Sequence, residues 1–243
     1  MMGASLSALK MRSWGVSAAA LLGLCFGLAS SIGPAEADKV GVAAAVNPDA
    51  FSSLAGSPQT QLNIGKSIFY KERINTTGSG LVQVLLVDGS TFTVGPGSDL
   101  VIDKFVYDPK KKSGEIVASF SKGVMRFVGG KISKNEDGVT VKTPAGTLAI
   151  RGCIVQAAFT SQVGIISFVY GERATLYLPS GNVLDAFAAG YTIDTKLNAV
   201  RPTRPEDTQL FMAALSNGNT QSTGNTENAG NNGNQNITQQ ANV

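Results

Sequence analysis

The side chains that could carry out catalysis are few in this chain. It contains no histidine, which removes the commonest general base and metal ligand. Cys153 therefore lacks the imidazole that usually activates a nucleophilic thiol. Ser90 and Ser98 each follow a glycine, but neither lies in Gly-x-Ser-x-Gly, and a serine at a tight turn ordinarily makes local hydrogen bonds. We expect no catalytic residue and predict that the protein is not an enzyme.

The candidates for ion or nucleotide binding are similarly weak. Asp99, Asp103 and Asp108 lie close together in the sequence, but no glycine-spaced loop of oxygen ligands accompanies them, so we interpret them as charges at the rim of a strand. Gly129-Gly130-Lys131 lacks the spacing of a phosphate-binding loop. We therefore expect no metal site and no cofactor.

Short β-prone runs separated by turn residues make up most of the chain. Leu81–Val87 and Thr91–Val94 flank Asp88-Gly89-Ser90, and Asp-Gly between apolar runs is a strong hairpin signal. Turn signals recur at intervals of about 8 to 12 residues, which indicates an all-β domain. The predicted fold is all-β with many short strands in a solenoid-like or sandwich-like body over residues 63–200. Residues 38–62 are predicted to be a loosely ordered lead-in.

One helix is predicted, within residues 201–217. Pro205 and two carboxylates open the segment Pro205–Leu215, where the missing amide donor is harmless and the helix dipole favours negative charge. Its apolar residues should pack on the β body as a cap, or alternatively dock a partner. From residue 218 to 243 the sequence is rich in Asn, Gln and Gly, and we predict a disordered tail, with self-association through amide ladders as the alternative.

The amino terminus has the pattern of an export signal. Basic residues precede an apolar stretch from Val16 to Leu28, and Ala35-Glu36-Ala37 supplies a small-x-small cleavage pattern. We interpret residues 1–37 as a signal peptide, with an uncleaved anchor as the alternative. Cleavage would leave Cys153 as the one cysteine, which we expect to be buried.

The overall charge does not favour nucleic acid as a partner. The chain has 20 basic and 17 acidic residues, with a formal net charge of +3. Proteins that bind nucleic acid usually carry a basic face or stripe. The densest basic run, Lys110-Lys111-Lys112, reads as a solvated loop.

Several linked motifs resemble the FecR domain, named for the regulator of bacterial ferric-citrate uptake. They are Asp88-Gly89-Ser90, Pro96-Gly97-Ser98, the Thr143-Pro144 segment closed by Arg151-Gly152, Gly123–Phe127 and Tyr170-Gly171. The resemblance covers roughly Gly65 to Ile193, and it implies a solenoid-like β body. Cys153 stands where the family usually has threonine, which weakens any role assigned to this loop.

Arg126 and Arg151 lie within these motifs and in apolar sequence surroundings. We expect both to be structural and to bridge turns or carboxylates inside the fold, because an unpaired buried charge is costly. Together with Asp88, Gly89, Ser90, Thr143, Pro144 and Gly152 they form the predicted structural motif. On this reading, Arg151→Ala should lower the melting temperature by several degrees.

The resemblance implies a non-enzymatic exported binding or signalling module of the bacterial cell envelope. The family's namesake passes a signal from an outer-membrane transporter to a sigma factor. The few residues ahead of the apolar segment are too short for a sigma-binding domain, so we expect a stand-alone domain. We predict a periplasmic location, with the cell surface or secretion left open, an envelope protein as partner and no nucleic acid. The alternative is a structural or surface-interaction protein that associates through its β domain and polar tail.

Overall fold

The computed structural model describes residues 38–47 and 49–216. The predicted signal peptide, Cys25 and the predicted tail lie outside these residues. Within these residues the fold consists of seventeen strands and one α-helix, with a short 3-10 turn at Ile132–Lys134. The strands are β1 Lys39–Asn47, β2 Ala50–Ser53, β3 Thr60–Gln61, β4 Ser67–Phe69, β5 Arg73–Thr76, β6 Leu81–Leu86, β7 Thr91–Val94, β8 Asp99–Asp108, β9 Ser113–Val128, β10 Val139–Thr143, β11 Gly146–Arg151, β12 Ile154–Phe159, β13 Gly164–Tyr170, β14 Arg173–Tyr177, β15 Val183–Ala186, β16 Tyr191–Asp194 and β17 Ala199–Pro202. The helix is α1, Pro205–Leu215.

The strands form two sheets that share one long strand. Sheet A has the order β4-β1-β6-β7-β9-β12-β13-β16-β17, with antiparallel neighbours throughout. Sheet B has the order β3-β2-β5-β8-β9-β10-β11-β14-β15, and only its β9 and β10 run parallel. The chain switches repeatedly between the sheets as it advances along both, which combines the predicted sandwich-like and solenoid-like features. The all-β prediction is confirmed.

Strand β9 passes from one sheet to the other. Its first part pairs with β8 and β10 in sheet B, and its last six residues, from Gly123 to Val128, pair with β12 in sheet A. Gly123 at the crossing has φ +96°, a conformation that L side chains rarely adopt. The bend that joins the two sheets therefore depends on a glycine.

A continuous apolar core fills the space between the sheets. Phe92 and Phe127 are fully buried, and their ring centroids lie 4.8 Å apart in a tilted arrangement, which is a favourable geometry for aromatic pairs. On sheet B, Leu100 and Phe120 are also completely buried. Alternate residues of each strand supply this core, as the two-residue period of a strand requires.

The expectation of a loosely ordered lead-in at residues 38–62 is wrong. Strand β1 lies inside sheet A, hydrogen-bonded to β4 on one side and β6 on the other. Val40 and Ala43 are buried in the core. Small side chains gave a weak sequence signal here, but Gly41 lies so close to β6 that a Cβ would strike the carbonyl of Leu85. The backbone pairing on both sides compensates for the modest apolar side chains.

The predicted helix forms over Pro205–Leu215 and caps the outer face of sheet A, the face turned away from sheet B. Phe211 is 2% exposed and packs with Val124, Ala158 and Ile165. Leu210, Ala214 and Leu215 pack against the same cluster. The apolar stripe of the helix is therefore used within the domain.

Candidate interaction site

The Asp-Gly-Ser turn between β6 and β7 is a buried structural joint. The Asp88 carboxylate accepts hydrogen bonds from the Ser90 amide at 3.0 Å and the Ser90 hydroxyl at 2.7 Å. It also accepts one from the amide of Ile132 at 3.1 Å, while the Ser90 hydroxyl accepts one from Gly130 at 2.9 Å. Gly89 supplies the positive φ of the turn. These polar side chains bond to the protein itself, and they leave little capacity for a ligand.

Ser98 performs a comparable role at the crossing of β9. Its hydroxyl donates to the Val124 carbonyl at 3.0 Å and accepts from the Val124 amide at 2.8 Å. The bend at Gly123 brings the backbone so close to Ser98 that a Cβ at Gly123 would collide with it. The hydroxyl thus bonds to both backbone groups of Val124 at the bend, and the Val124 carbonyl also accepts from the Gly95 amide at 2.7 Å.

The remaining predicted motif residues lie at turns between strands. The Thr143 hydroxyl donates to the Gly146 carbonyl at 2.8 Å and closes the β10–β11 hairpin, with Pro144 exposed in the turn. Gly152 has φ +52°, and its amide donates to the Ser133 carbonyl at 2.6 Å. The structure therefore distributes these residues over several corners and does not gather them into one site.

The expected interior positions of Arg126 and Arg151 are wrong, because both side chains lie at the surface. Arg151 does join two loops: its Nε lies 2.9 Å from Glu172, and its Nη1 lies 3.9 Å from Glu136. Both glutamates are more than half exposed. Arg126 has no ion pair with a carboxylate among residues 38–47 and 49–216. Its apolar sequence neighbours point into the core, and alternation along β9 directs Arg126 to the opposite face.

Cys153 is buried, as expected, with a side chain that is 2% exposed. Its thiol lies 3.3 Å from the Arg173 carbonyl. Burial raises the pKa of the Cys153 thiol to about 12. A thiol in this state packs as a small apolar group and is a poor nucleophile.

The outer face of sheet A carries three parallel rows of side chains that cross its strands. Directly opposed residues share a face, so the pairing registers define each row. The helix row lies beneath α1 and consists of Val124, Ala158 and Ile165. The polar row, two residues farther along each strand, consists of Gln83, Thr93, Arg126, Gln156, Ser167 and Thr192. The rim row comes next and consists of Leu85, Thr91, Val128, Ile154 and Tyr170.

The rim row leaves apolar surface uncovered. Leu85 is 41% exposed and Tyr170 is 71% exposed, while Val128 and Ile154 between them are half-buried. The outer face of sheet A therefore places a partly exposed apolar row beside a polar row that carries a guanidinium.

A cavity of about 300 Å³ lies where the polar row meets α1. Arg126, Gln156 and Ser167 line it from the sheet, and Phe211 and Met212 line it from the helix. With its side-chain oxygen facing Arg126, the Gln156 amide accepts hydrogen bonds from Nε at 3.1 Å and Nη2 at 2.8 Å. In this orientation Arg126 is held in place by a neutral group.

A larger and more apolar cavity, of about 650 Å³, opens where β9 leaves sheet B. Its walls include Val124, Pro144, Phe159 and Val163, with Lys122 contributing a charge. The bend of β9 and the β12–β13 turn separate the sheets at this end. The cavity is thus a consequence of the crossing geometry.

A buried ionic network fixes α1 to the edge of sheet A, and sequence reasoning missed it. Arg201 on β17 donates to Asp194 at 2.9 Å and to Asp207 at 2.6 Å and 3.2 Å. The side chains of Arg201, Asp194 and Asp207 are 12%, 10% and 8% exposed. The amide of Arg204 also donates to Asp207 at 2.9 Å. The sequence marked the start of α1 only through Pro205 and the two acids that follow it, and the role of Arg201 depends on tertiary contacts.

This network shifts the titration of both acids. Burial alone would raise the pKa of Asp207, but hydrogen bonds from Arg201 and from the Arg204 amide outweigh it and hold the pKa below its usual range. Burial also opposes ionisation of Asp194, whereas the Leu197 amide and Arg201 lower its pKa overall. Both acids are therefore charged at neutral pH and stabilise the docked helix.

Metal-ligating residues are not clustered in the described part of the chain: no group of three or more His, Cys, Asp or Glu side chains could hold an ion there. Among those same residues, α1 is the only α-helix, and it is too short to cross a membrane.

Comparison with solved structures gives distant similarities. Two crystal structures of a candidate anti-sigma factor from Parabacteroides distasonis are 14% and 12% identical to this chain, with TM-scores of 0.44 and 0.41. Each alignment covers 56% of this chain and 62% of the other, so the chain spans less than two thirds of those proteins. A cell surface anchoring domain is 26% identical over 26% of this chain and 82% of that domain, with a TM-score of 0.25.

Comparison with curated proteins gives no match. The family comparison does give one: residues 72–179 match the family described as FecR protein. That range begins just before β5 and ends just after β14. The range contains the Asp-Gly-Ser turn, the Ser98 contacts at the β9 crossing and the Arg151-Gly152 corner. Each of these motifs lies at a turn or crossing of the chain. Residues 72–179 are therefore matched to the FecR protein family, which confirms over that range the resemblance recognised in the sequence.

Proposed function

We propose that the protein is a non-enzymatic, exported module of the cell envelope that binds a protein partner in a signalling system. FecR proteins are regulatory and associated with the envelope, and the match over residues 72–179 is the observation that carries this proposal. A periplasmic location follows if residues 1–37 act as an export signal.

The outer face of sheet A is the surface that best fits such a role. The motif residues Asp88, Ser90 and Ser98 are fully engaged inside the domain. In contrast, the rim row exposes Leu85 and Tyr170, and the adjacent polar row presents Arg126. Buried apolar contacts supply most of the affinity at an interface, and a charged group beside them adds specificity.

The test is capture of the partner in the native cells through a defined surface position. A tagged chain carries a photo-crosslinking residue at Tyr170, and a matched chain carries it at Tyr177, an exposed tyrosine on sheet B. Periplasm, outer membrane and medium are separated before mass spectrometry. Crosslinking of one transporter or membrane sensor from position 170 and not from 177 supports the proposal. Equal or absent crosslinking at both positions contradicts it.

A second candidate function is structural association between copies of the chain. Strand β15 lies at the edge of sheet B, paired only with β14 among the described strands. Tyr177 and Val183 stand opposite each other there and are 49% and 50% exposed. An exposed edge with apolar side chains can pair with another strand. Sedimentation of the chain and of Val183→Lys tests this self-association. Assemblies that are lost in Val183→Lys support it, and a chain that is monomeric at all concentrations contradicts it.

A further inference from the structure

Arg126 is a positioned cation without an acidic partner among the described residues. With the Gln156 side-chain oxygen turned toward Arg126, Nε and Nη2 both donate to it, and this contact orients the plane of the guanidinium. The lining of the adjacent cavity contains no Asp or Glu. A guanidinium presents five donors, and these two contacts leave others for a ligand.

A second hydrogen-bond donor faces the same cavity. The hydroxyls of Ser167, Thr192 and Thr203 form a chain with oxygen separations of 2.8 Å and 2.9 Å. Three hydroxyls have three protons, and the two mutual bonds use two of them. When Thr192 donates one of these bonds, the remaining proton lies at one end of the chain, on Ser167 or Thr203, and both of these residues line the cavity.

The other walls of the cavity are apolar. Val169 contributes from β13, and Phe211 and Met212 contribute from α1. Met212 is 65% exposed and Val169 is 36% exposed, so the apolar wall is open to an incoming group. A volume of about 300 Å³ is at the lower end of the range for small-molecule sites.

The geometry points to a binding site for a carboxylate attached to a short apolar group. One carboxylate oxygen would accept from Arg126 and the other from the end of the hydroxyl chain, as charge-assisted hydrogen bonds that are stronger than neutral ones. The apolar group would lie against Val169 and Met212. The carboxylate belongs either to a free acid or to an acidic side chain of a polypeptide. The site does not rest on the proposed function, since it can be tested without a partner.

In the experiment, the probes below are titrated into the chain from Asp38 to Val243. Binding is monitored by nuclear magnetic resonance of the backbone and side-chain amides. One probe is octanoate. Octanamide is its uncharged control, and acetate is the control that has the carboxylate but lacks the apolar chain. The other is a capped Leu-Glu-Leu peptide, with Leu-Gln-Leu as its match. The variants are Arg126→Gln, Thr203→Val and, as a control, Arg173→Gln, which replaces an exposed strand arginine outside the cavity.

We expect saturable shifts of the Gln156 side-chain amide with octanoate or with the Glu peptide, and much weaker effects with the uncharged matches. Arg126→Gln should weaken binding about tenfold, as the loss of a hydrogen bond to a charged group does, while Arg173→Gln should leave it unchanged. Whichever probe binds identifies the source of the carboxylate. The inference fails if neither probe binds the folded chain, or if binding is the same in Arg126→Gln. An unchanged melting curve of that variant shows that its fold is intact.

Discussion

Replacement of Arg201 by alanine tests the ionic network that holds α1 against sheet A. The change leaves Asp194 and Asp207 buried, at 10% and 8% side-chain exposure, without their cation. Removal of one partner from a buried ion pair costs about 3 to 5 kcal/mol. The variant can avoid this cost by releasing α1 from sheet A, because both acids would then be hydrated.

The cost of releasing the helix is of similar size. It exposes Phe211, whose complete burial contributes about 1.5 to 3 kcal/mol, together with the partly buried Leu210, Ala214 and Leu215. We therefore expect Arg201→Ala to lower the free energy of unfolding by about 3 kcal/mol. Most of this loss should result from undocking of α1. The melting temperature should fall by about 6 to 12 °C if the helix unfolds together with the body.

The assay combines thermal melting with amide hydrogen exchange of α1. Arg204→Ala is the matched control, since that side chain is 51% exposed and its ion pair with Glu206 spans 4.0 Å. The backbone amide of residue 204 still donates to Asp207 in this variant, so its free energy of unfolding should fall by less than about 1 kcal/mol. Equal melting curves and equal helix protection in Arg201→Ala and wild type would refute the assigned role of the network.

The same network predicts how stability depends on pH. The pKa values of Asp194 and Asp207 are lower in the folded state than in the unfolded chain, where aspartate has a pKa of about 3.9. Their contribution is therefore complete above that value and is lost as the pH falls through their folded pKa values. Protection of α1 should decrease below about pH 4, and Arg201→Ala should remove most of this dependence. A wild-type helix equally protected at pH 3 and pH 7 would contradict the assignment.

Three further predictions follow from single positions. Gly130→Ala should destabilise the domain by more than about 2 kcal/mol, because its Cβ would meet the backbone of the Asp-Gly-Ser turn; Gly78→Ala, with open space around it, is the control, and similar urea midpoints for both would refute the packing argument. Arg151→Ala should cost less than about 1 kcal/mol, since its ion pairs are exposed; a calorimetric shift of several degrees would restore the earlier expectation. Cys153 should resist thiol reagents at pH 8 until the domain unfolds, because burial raises its pKa to about 12; rapid labelling of the native chain would show that the thiol is accessible.

Local sequence signals predicted the fold class and the helix well. Pro205 and the acids after it mark the start of α1, and the Asp-Gly dipeptide marks the β6–β7 turn. Each signal depends on residues that are close together in the chain, where the backbone preferences act directly. The division of strands between two sheets could not be predicted, because β9 pairs with residues both before and after it in the chain.

The candidate site was less predictable for a related reason. Arg126 was recognised in the sequence, but its surroundings were inferred from apolar neighbours that point to the opposite face of the strand. Gln156 lies opposite it only because of the β9–β12 register. Arg201 meets Asp194 and Asp207 after the chain has folded back on itself. Strand registers and long-range contacts of this kind depend on the assembled core and not on any local sequence pattern.

The shared strand β9 has a consequence for the timing of folding during synthesis. Among the described strands, none of β1–β8 is hydrogen-bonded to any of β10–β17, and only β9 pairs with strands of both groups. Until Ile154–Phe159 has been made, the Gly123–Val128 part of β9 has β7 as its only neighbour in sheet A. At 5 to 20 residues per second, this interval lasts roughly one to five seconds, and the nascent chain then presents a temporary sheet edge that other chains or chaperones can bind. Chains that end at Gly138 and have left the ribosome should bind holding chaperones more strongly than chains that end after residue 200; equal binding would contradict this interval.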